Sequence, residues 1–104
     1  MRPSPYLGYN RDELGLYFAD RGADHIAESQ FRRAVWLNPY ELEFKIHLAE
    51  CLYRRKEYGE AAKWADEALK QAPDHQGAQN LKRWIAERAA IESALAAKDA
   101  SPAH

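Results

Sequence analysis

The sequence is poor in the features of secreted and membrane proteins. It contains one cysteine, Cys51, so no disulfide can form within the chain. No apolar run approaches the roughly 18 residues of a membrane span. The N-terminal stretch MRPSPYLGYN also lacks the apolar segment of a secretory signal. We therefore expect a cytoplasmic protein that does not insert into membranes.

The sequence also lacks an excess of either positive or negative charge. Fifteen Lys and Arg residues stand against sixteen Asp and Glu residues, which leaves a net charge of −1. A surface without a net positive field attracts phosphate backbones poorly. The basic run Arg54-Arg55-Lys56 lies among acidic residues, and ion pairing on helix surfaces accounts for it. We therefore expect no nucleic acid partner.

Glycine and proline are rare, with five of each, whereas 46% of the residues are apolar and 30% are charged. This composition is typical of a folded helical protein. Apolar residues recur at spacings of three and four, and no segment alternates as a strand would. The sequence therefore predicts an all-α protein, with helices near residues 10–21, 24–37, 41–55, 58–71 and 76–97.

A few residues predict where the helices end. Pro39 and Pro73 lack an amide hydrogen, so each separates one pair of helices from the next. Gly22 can adopt the left-handed conformation that closes a helix, and Asp24 is expected to cap the helix that follows. Lys56 stands at the matching position of the second pair, where it must accept strain of about 1 kcal/mol or use another turn.

One stretch of the chain occurs twice, 34 residues apart. IAESQFRRAVWLNP, which begins at Ile26, aligns with EAAKWADEALKQAP, which begins at Glu60. Two alanines and the final proline coincide in the two stretches. Identical offsets at three positions indicate a repeated structural unit.

This unit resembles that of the tetratricopeptide repeat family, which follows W-x2-L-G-x2-Y, then A-x3-F, then P. The first unit matches at Arg11, Leu14, Gly15, Phe18, Ala27, Phe31 and Pro39. The second unit matches at Lys45, Leu48, Ala49, Leu52, Ala61, Ala65 and Pro73. Both units lack the opening aromatic residue, although Phe44 can fill part of that gap. The second unit also lacks the glycine and the second aromatic residue.

The resemblance implies an α-α superhelix, a right-handed stack of antiparallel helical hairpins. Two repeats over 8–41 and 42–75 are expected, followed by a capping helix over 76–97. An extended arm is expected over 1–7 and a flexible tail over 98–104.

The resemblance also implies a function. The first helix of each hairpin in this family lines a concave groove that holds a peptide or helix of a partner, which implies a non-enzymatic adaptor or scaffold. The family's groove positions correspond here to Tyr9, Asp12, Leu16, Ile46, His47, Glu50, Tyr53 and Trp84. Aromatic residues beside acidic ones favour a ligand that is partly apolar and partly basic. The alternative is that these faces are only solvated.

One ligand class of the family is not expected. Family members that bind the terminal carboxylate of chaperone tails use Lys and Asn at defined groove sites, followed by Lys and Arg. The corresponding residues here are Asp12, Leu16, His47, Gly77 and Leu81. This replacement predicts that the chain does not bind such a tail.

A second candidate surface is the convex side, with Trp36, Tyr40 and Trp64. An exposed indole is costly unless something covers it, so these residues could join an accessory subunit to an assembly or form a homo-oligomer. The other interpretation is that Trp36 folds back onto the following hairpin.

A metal-binding or catalytic protein is a third alternative. Glu43, His47 and Glu50 share one helical face, where a metal could bind, but no second cluster supplies further ligands. Cys51 lies in an apolar stretch, as a small core residue does. No phosphate loop, nucleophile elbow or triad is recognisable. We therefore expect no enzyme activity, no cofactor and no bound metal.

Overall fold

In the computed structural model, residues 7–100 are described, and they form five helices with no strand among them. The helices are α1 (Tyr9–Asp20), α2 (Asp24–Leu37), α3 (Leu42–Arg54), α4 (Tyr58–Gln71) and α5 (Gln76–Ala100). The predicted all-α class is confirmed. Four helices match their predicted ends to within one residue, whereas α5 continues three residues beyond 97. Residues 1–6 of the predicted arm and 101–104 of the predicted tail lie outside the described residues.

The helices pack as consecutive hairpins. α1 packs on α2 and α3 packs on α4, and these hairpins are stacked through contacts of α2 with α3 and of α4 with α5. The first helices also meet, because α1 contacts α3 and α3 contacts α5. This order places one face of α1, α3 and α5 side by side.

Small residues bring the helices close together. The repeated alanines are fully buried between the helices, and they are Ala27, Ala34, Ala61 and Ala68. Larger side chains fill the remaining space, and the largest fully buried ones include Phe31, Phe44, Leu48 and Leu52. Burying apolar side chains of this size contributes roughly 1.5–3 kcal/mol each, so these layers stabilise the stack.

The two hairpins fill the space between their helices with different residues. A methyl group added to Gly15 would lie 2.4 Å from the ring of Phe31, so the aromatic ring occupies the space that glycine leaves. The second hairpin has Ala49 and Ala65 at the equivalent positions, and both are fully buried. The second unit therefore has two small residues at the positions where the first unit combines a glycine with a phenylalanine.

Both hairpin turns use a residue with left-handed backbone geometry. Gly22 has φ 79° and Lys56 has φ 64°. In each turn, the backbone N–H of the following residue donates across 2.9 Å to the carbonyl oxygen five residues earlier. Lys56 therefore accepts the strain instead of using another turn.

The prediction that Asp24 caps α2 is wrong. Ala23 occupies the N-cap, and no side chain caps that end. Asp24 is the first residue of the helix, and its Oδ1 accepts a hydrogen bond from Nε of Arg54 at 3.0 Å. Its carboxylate thus joins α2 to α3, because a cation from the next repeat competes for it with the amides of its own helix.

Candidate binding groove

Two adjoining cavities lie along the face shared by α1, α3 and α5, and we call them together the groove. The first has a volume of about 370 Å³ and is lined by Leu16, Ala19, Asp20, Phe31, His47, Glu50 and Arg54. The second has a volume of about 350 Å³ and is lined by Ile46, Glu50, Tyr53, Arg54, Gly77, Leu81 and Trp84. Six of the eight predicted groove residues line at least one cavity: Leu16, Ile46, His47, Glu50, Tyr53 and Trp84.

The second cavity offers mostly apolar surface. Ile46 and Leu81 are buried, so they form its floor. Trp84 is 48% exposed and Tyr53 is partly exposed, so their rings stand at its walls. A cavity with apolar walls and a buried apolar floor can accept an apolar side chain of a ligand.

Two charged residues belong to both cavities. Arg54 is already engaged, because its Nε donates to Asp24 at 3.0 Å. Glu50 has no hydrogen bond or ion pair to any residue within 7–100. The carboxylate at the boundary of the cavities is therefore available to a cation of a ligand.

Asp12 and His47 are paired beside the first cavity. Oδ1 of Asp12 lies 2.8 Å from Nδ1 of His47, and Asp12 is only 6% exposed. Burial opposes a charge on His47, but the hydrogen bond to Asp12 and the negative charges of Asp12, Glu50 and Glu43 outweigh it and raise the pKa of His47. Asp12 thus supports His47 and lines neither cavity.

Tyr9 lies at the start of α1 and lines neither cavity. Its hydroxyl donates to the carboxylate of Glu41, which raises the pKa of Tyr9. Its ring meets the ring of Phe44 edge-on, with 5.0 Å between the centroids. Phe44 is buried, so this pair of rings closes the end of the stack. Phe44 lies next to the position at which the family pattern has its opening aromatic residue.

Two of the three convex candidates, Trp36 and Trp64, line a separate cavity. Its volume is about 440 Å³, and it is lined by Arg32, Val35, Trp36, Pro39, Leu48 and Trp64. Trp36 is 71% exposed, so it does not fold back onto the following hairpin. The guanidinium of Arg33 lies 4.6 Å from the Trp36 ring centroid. Tyr40 is also largely exposed.

The residues considered for metal binding or catalysis have other contacts. Glu43 Oε1 lies 3.5 Å from Nε2 of His75, and His47 is paired with Asp12. In the described part of the chain, no three His, Cys, Asp or Glu side chains form a cluster that could hold a metal. Burial raises the pKa of Cys51 to about 11, which keeps its thiol protonated.

Sequence reasoning missed two of the lining residues, Ala19 and Phe31. Gly77 and Leu81 line the second cavity and stand at groove sites that the family comparison had already identified. Phe31 belongs to a second helix, and only the missing side chain of Gly15 lets its ring reach the first cavity.

Comparison with known proteins agrees with the repeat. A family model described as tetratricopeptide repeat matches residues 27–85, which is more than half of the chain. The match runs from Ala27 in α2 through α3 and α4 to Ile85 in α5, and so includes α3, which contributes to both cavities. No curated protein matches the chain. Among the described helices, none has the length and apolar character needed to cross a membrane.

Proposed function

The chain belongs to the tetratricopeptide repeat family, and from this premise we propose that its groove holds a short segment of another protein. The family forms superhelices of helical hairpins and generally serves as a protein–protein interaction module. The observation that carries the proposal is the pair of adjoining cavities that share the unpaired carboxylate of Glu50.

The lining residues suggest the chemistry of the ligand. Trp84 and Tyr53 favour an apolar or aromatic side chain in the second cavity, since aromatic rings dominate recognition surfaces. Glu50 favours a lysine or arginine beside that side chain. The expected ligand is therefore a segment that combines an apolar anchor with a neighbouring cation.

We propose binding without catalysis as the role of the groove. Neither cavity is lined by a serine, threonine or cysteine that the His47–Asp12 pair could activate, and Cys51 is a buried, protonated thiol. The absence of a carboxylate-clamp ligand and of a nucleic acid partner stays a prediction, as does the cytoplasmic location.

A selection from random twelve-residue peptides displayed on phage tests the proposal. The wild-type chain should enrich peptides with an aromatic or large apolar residue close to a Lys or Arg. Glu50→Lys should lose the preference for the cation, and Trp84→Ala should weaken binding of the selected peptides by about tenfold or more, as expected for an interface anchor. Both side chains are partly exposed, so neither change opens the core.

Trp36→Ala is the matched control, because it removes an exposed indole outside the groove. It should leave peptide binding unchanged. If Glu50→Lys and Trp84→Ala bind the selected peptides as tightly as the wild type does, the groove is not the binding site. Ile46 is unsuitable for this test, because its truncation would also remove part of the core.

The convex cavity supports a second candidate function, in which the chain docks as an accessory subunit through Trp36. A large exposed indole beside an apolar cavity is typical of an interaction surface. In that case Trp36→Ala should abolish capture of the partner while Trp84→Ala leaves it intact. The two variants therefore distinguish the two candidate surfaces.

A further inference from the structure

The outer face of α1, defined by Leu14 and Tyr17, is apolar, and no helix within residues 7–100 covers it. Leu14 is 41% exposed and Tyr17 is 50% exposed. The residues 34 positions later, Leu48 and Cys51, are both fully buried. A helix covers them: α2 packs on α3, and the thiol of Cys51 donates to the carbonyl of Asp24 at 3.2 Å. The repeat thus indicates that a helix fits the outer face of α1.

Two ion pairs fasten the helix that covers α3. Nε of Arg54 lies 3.0 Å from Oδ1 of Asp24, and Arg55 pairs with Glu28. The two acids are four residues apart, so they lie on one side of α2 and meet consecutive residues at the end of α3. In this arrangement, two charged residues at i and i+4 set the register of the covering helix.

The corresponding residues at the end of α1 are Asp20 and Arg21. Within residues 7–100, Asp20 takes part in no ion pair. The guanidinium of Arg21 lies over the ring of Tyr17, 3.5 Å from its centroid, and has no acidic partner in that part of the chain. A complementary helix must therefore present a cation at i, opposite Asp20, and an anion at i+4, opposite Arg21.

The C-terminal half of α5 has this pattern. Arg88 and Glu92 are four residues apart, and Ile91 and Leu95 are 49% and 54% exposed. Past Ile85, no residue of α5 with a described side chain is buried, so this half of the helix extends beyond the stack. Glu92, whose side chain is 26% exposed, pairs with Arg88 and with Lys56 and also contacts the hydroxyl of Tyr58 within its own chain. Arg88 and Lys56 are largely exposed, so these two ion pairs contribute little and exchange readily.

The sequences of the two helical stretches correspond. α2 begins DHIAESQF, in which positions 1, 4, 5 and 8 are the acid Asp24, a buried alanine, the acid Glu28 and a buried phenylalanine. The stretch of α5 that starts at Arg88 reads RAAIESAL, with a cation, an apolar residue, an acid and an apolar residue at those positions. We propose that the outer face of α1 binds the C-terminal half of α5 from a second copy of this chain.

This contact is heterologous, because it joins different surfaces of the two copies. One copy supplies Leu14 and Tyr17, and the other supplies Ile91 and Leu95. A dimer formed in this way keeps one free surface of each kind, so assembly continues until a ring closes or the concentration becomes limiting. Leu14, Tyr17, Ile91 and Leu95 line neither cavity of the groove, so variants at these residues test the contact separately from ligand binding. Asp20 lines the first cavity and therefore belongs to both surfaces.

Sedimentation velocity of the full chain over a wide concentration range tests the proposal. The wild type should form species whose mass rises with concentration. Leu14→Asp and Leu95→Asp each remove one surface, and each should be monomeric alone. An equimolar mixture of these two variants should form a dimer that grows no further, because one intact surface remains on each copy. Both residues are exposed, so circular dichroism should show unchanged helix content.

A charge exchange provides a second measurement. Asp20→Arg alone and Arg88→Asp alone should each weaken association, and the two together in one chain should restore it. Lys63→Asp, at an exposed position of α4, is the control and should associate as the wild type does. Trp36→Asp tests the convex surface, the competing site of self-association, and should also associate. A wild type that is monomeric throughout overturns the proposal, as does a variant mixture that stays monomeric or a Trp36→Asp variant that no longer associates.

Discussion

Nδ1 of His47 lies 2.8 Å from Oδ1 of Asp12, and this contact joins the first helices of the two repeats. Asp12 lies in α1 and His47 in α3, and the Asp12 carboxylate is nearly inaccessible to water. The pair therefore fixes the relative position of two helices that line the groove. A buried carboxylate without its partner would be costly, so His47→Leu should lower the free energy of unfolding by roughly 1–3 kcal/mol.

The pair also predicts how stability changes with pH. The folded state raises the pKa of His47 above the value of about 6.5 expected in the unfolded chain. The resulting stabilisation is fully present below pH about 6.5 and is lost as the pH rises through the higher folded pKa. Urea unfolding between pH 5 and pH 9 should therefore show a decline in stability as the pH rises above about 6.5 that is absent in His47→Gln. An identical decline in the two proteins would contradict the assignment to this pair.

The close contact between Gly15 and Phe31 predicts that a methyl group at position 15 destabilises the fold. Gly15→Ala places Cβ 2.4 Å from the ring, and it should lower the free energy of unfolding by about 1–3 kcal/mol. The same change in a Phe31→Ala background should cost much less, because the ring is gone. Gly59→Ala is the control: nothing lies within 4 Å of its added Cβ, so it should stabilise by up to about 1 kcal/mol. Additive costs at Gly15 and Phe31 would show that the two do not compete for space.

Much of the fold could be predicted because its determinants are local or repeated. Pro39 and Pro73 act on their own backbone, so the ends of α2 and α4 follow from them. The recurring alanines reveal the close contacts between helices, and all four are fully buried. Repeats allow such inference because each unit contacts mainly its neighbours.

The sequence was a poor guide where the environment of a residue depends on a residue far away in the chain. Asp24 has the composition of a helix cap, but Arg54, which lies 30 residues later, takes its carboxylate. Leu14 stands at a core position of the repeat pattern, yet it is exposed because no helix among the described residues covers it. Sequence pattern identifies the position of a residue in the unit, whereas its burial depends on which neighbours the unit has.

The groove could be predicted only in part for the same reason. The spacing on α3 identifies Ile46, Glu50 and Tyr53 as neighbours on one face. It does not show that Arg54 is neutralised by another helix while Glu50 stays unpaired, since both facts depend on contacts between repeats. The charge that a ligand meets therefore required the three-dimensional arrangement.

The strained turn at Lys56 predicts a stabilising substitution. Lys56 has φ 64°, which costs a residue with a side chain about 1 kcal/mol relative to glycine. Lys56→Gly should therefore raise the free energy of urea unfolding by about 1 kcal/mol, since its exposed ion pair with Glu92 contributes little. Gly22→Ala at the equivalent turn should lower it by a similar amount. A loss of stability in Lys56→Gly would show that the ion pair outweighs the backbone strain.

The buried thiol of Cys51 predicts low reactivity in the folded chain. Burial raises its pKa to about 11, so at pH 8 its thiolate population is smaller by roughly two orders of magnitude than that of a thiol with a pKa of about 8.5. A disulfide reagent such as DTNB should therefore react slowly with the native protein and rapidly in urea. A Ser29→Cys variant in a Cys51→Ala background places the thiol on an exposed part of α2 and should react rapidly without urea. Equal native rates for the two proteins would mean that α2 leaves α3 often enough to expose Cys51, which its contact with Asp24 argues against.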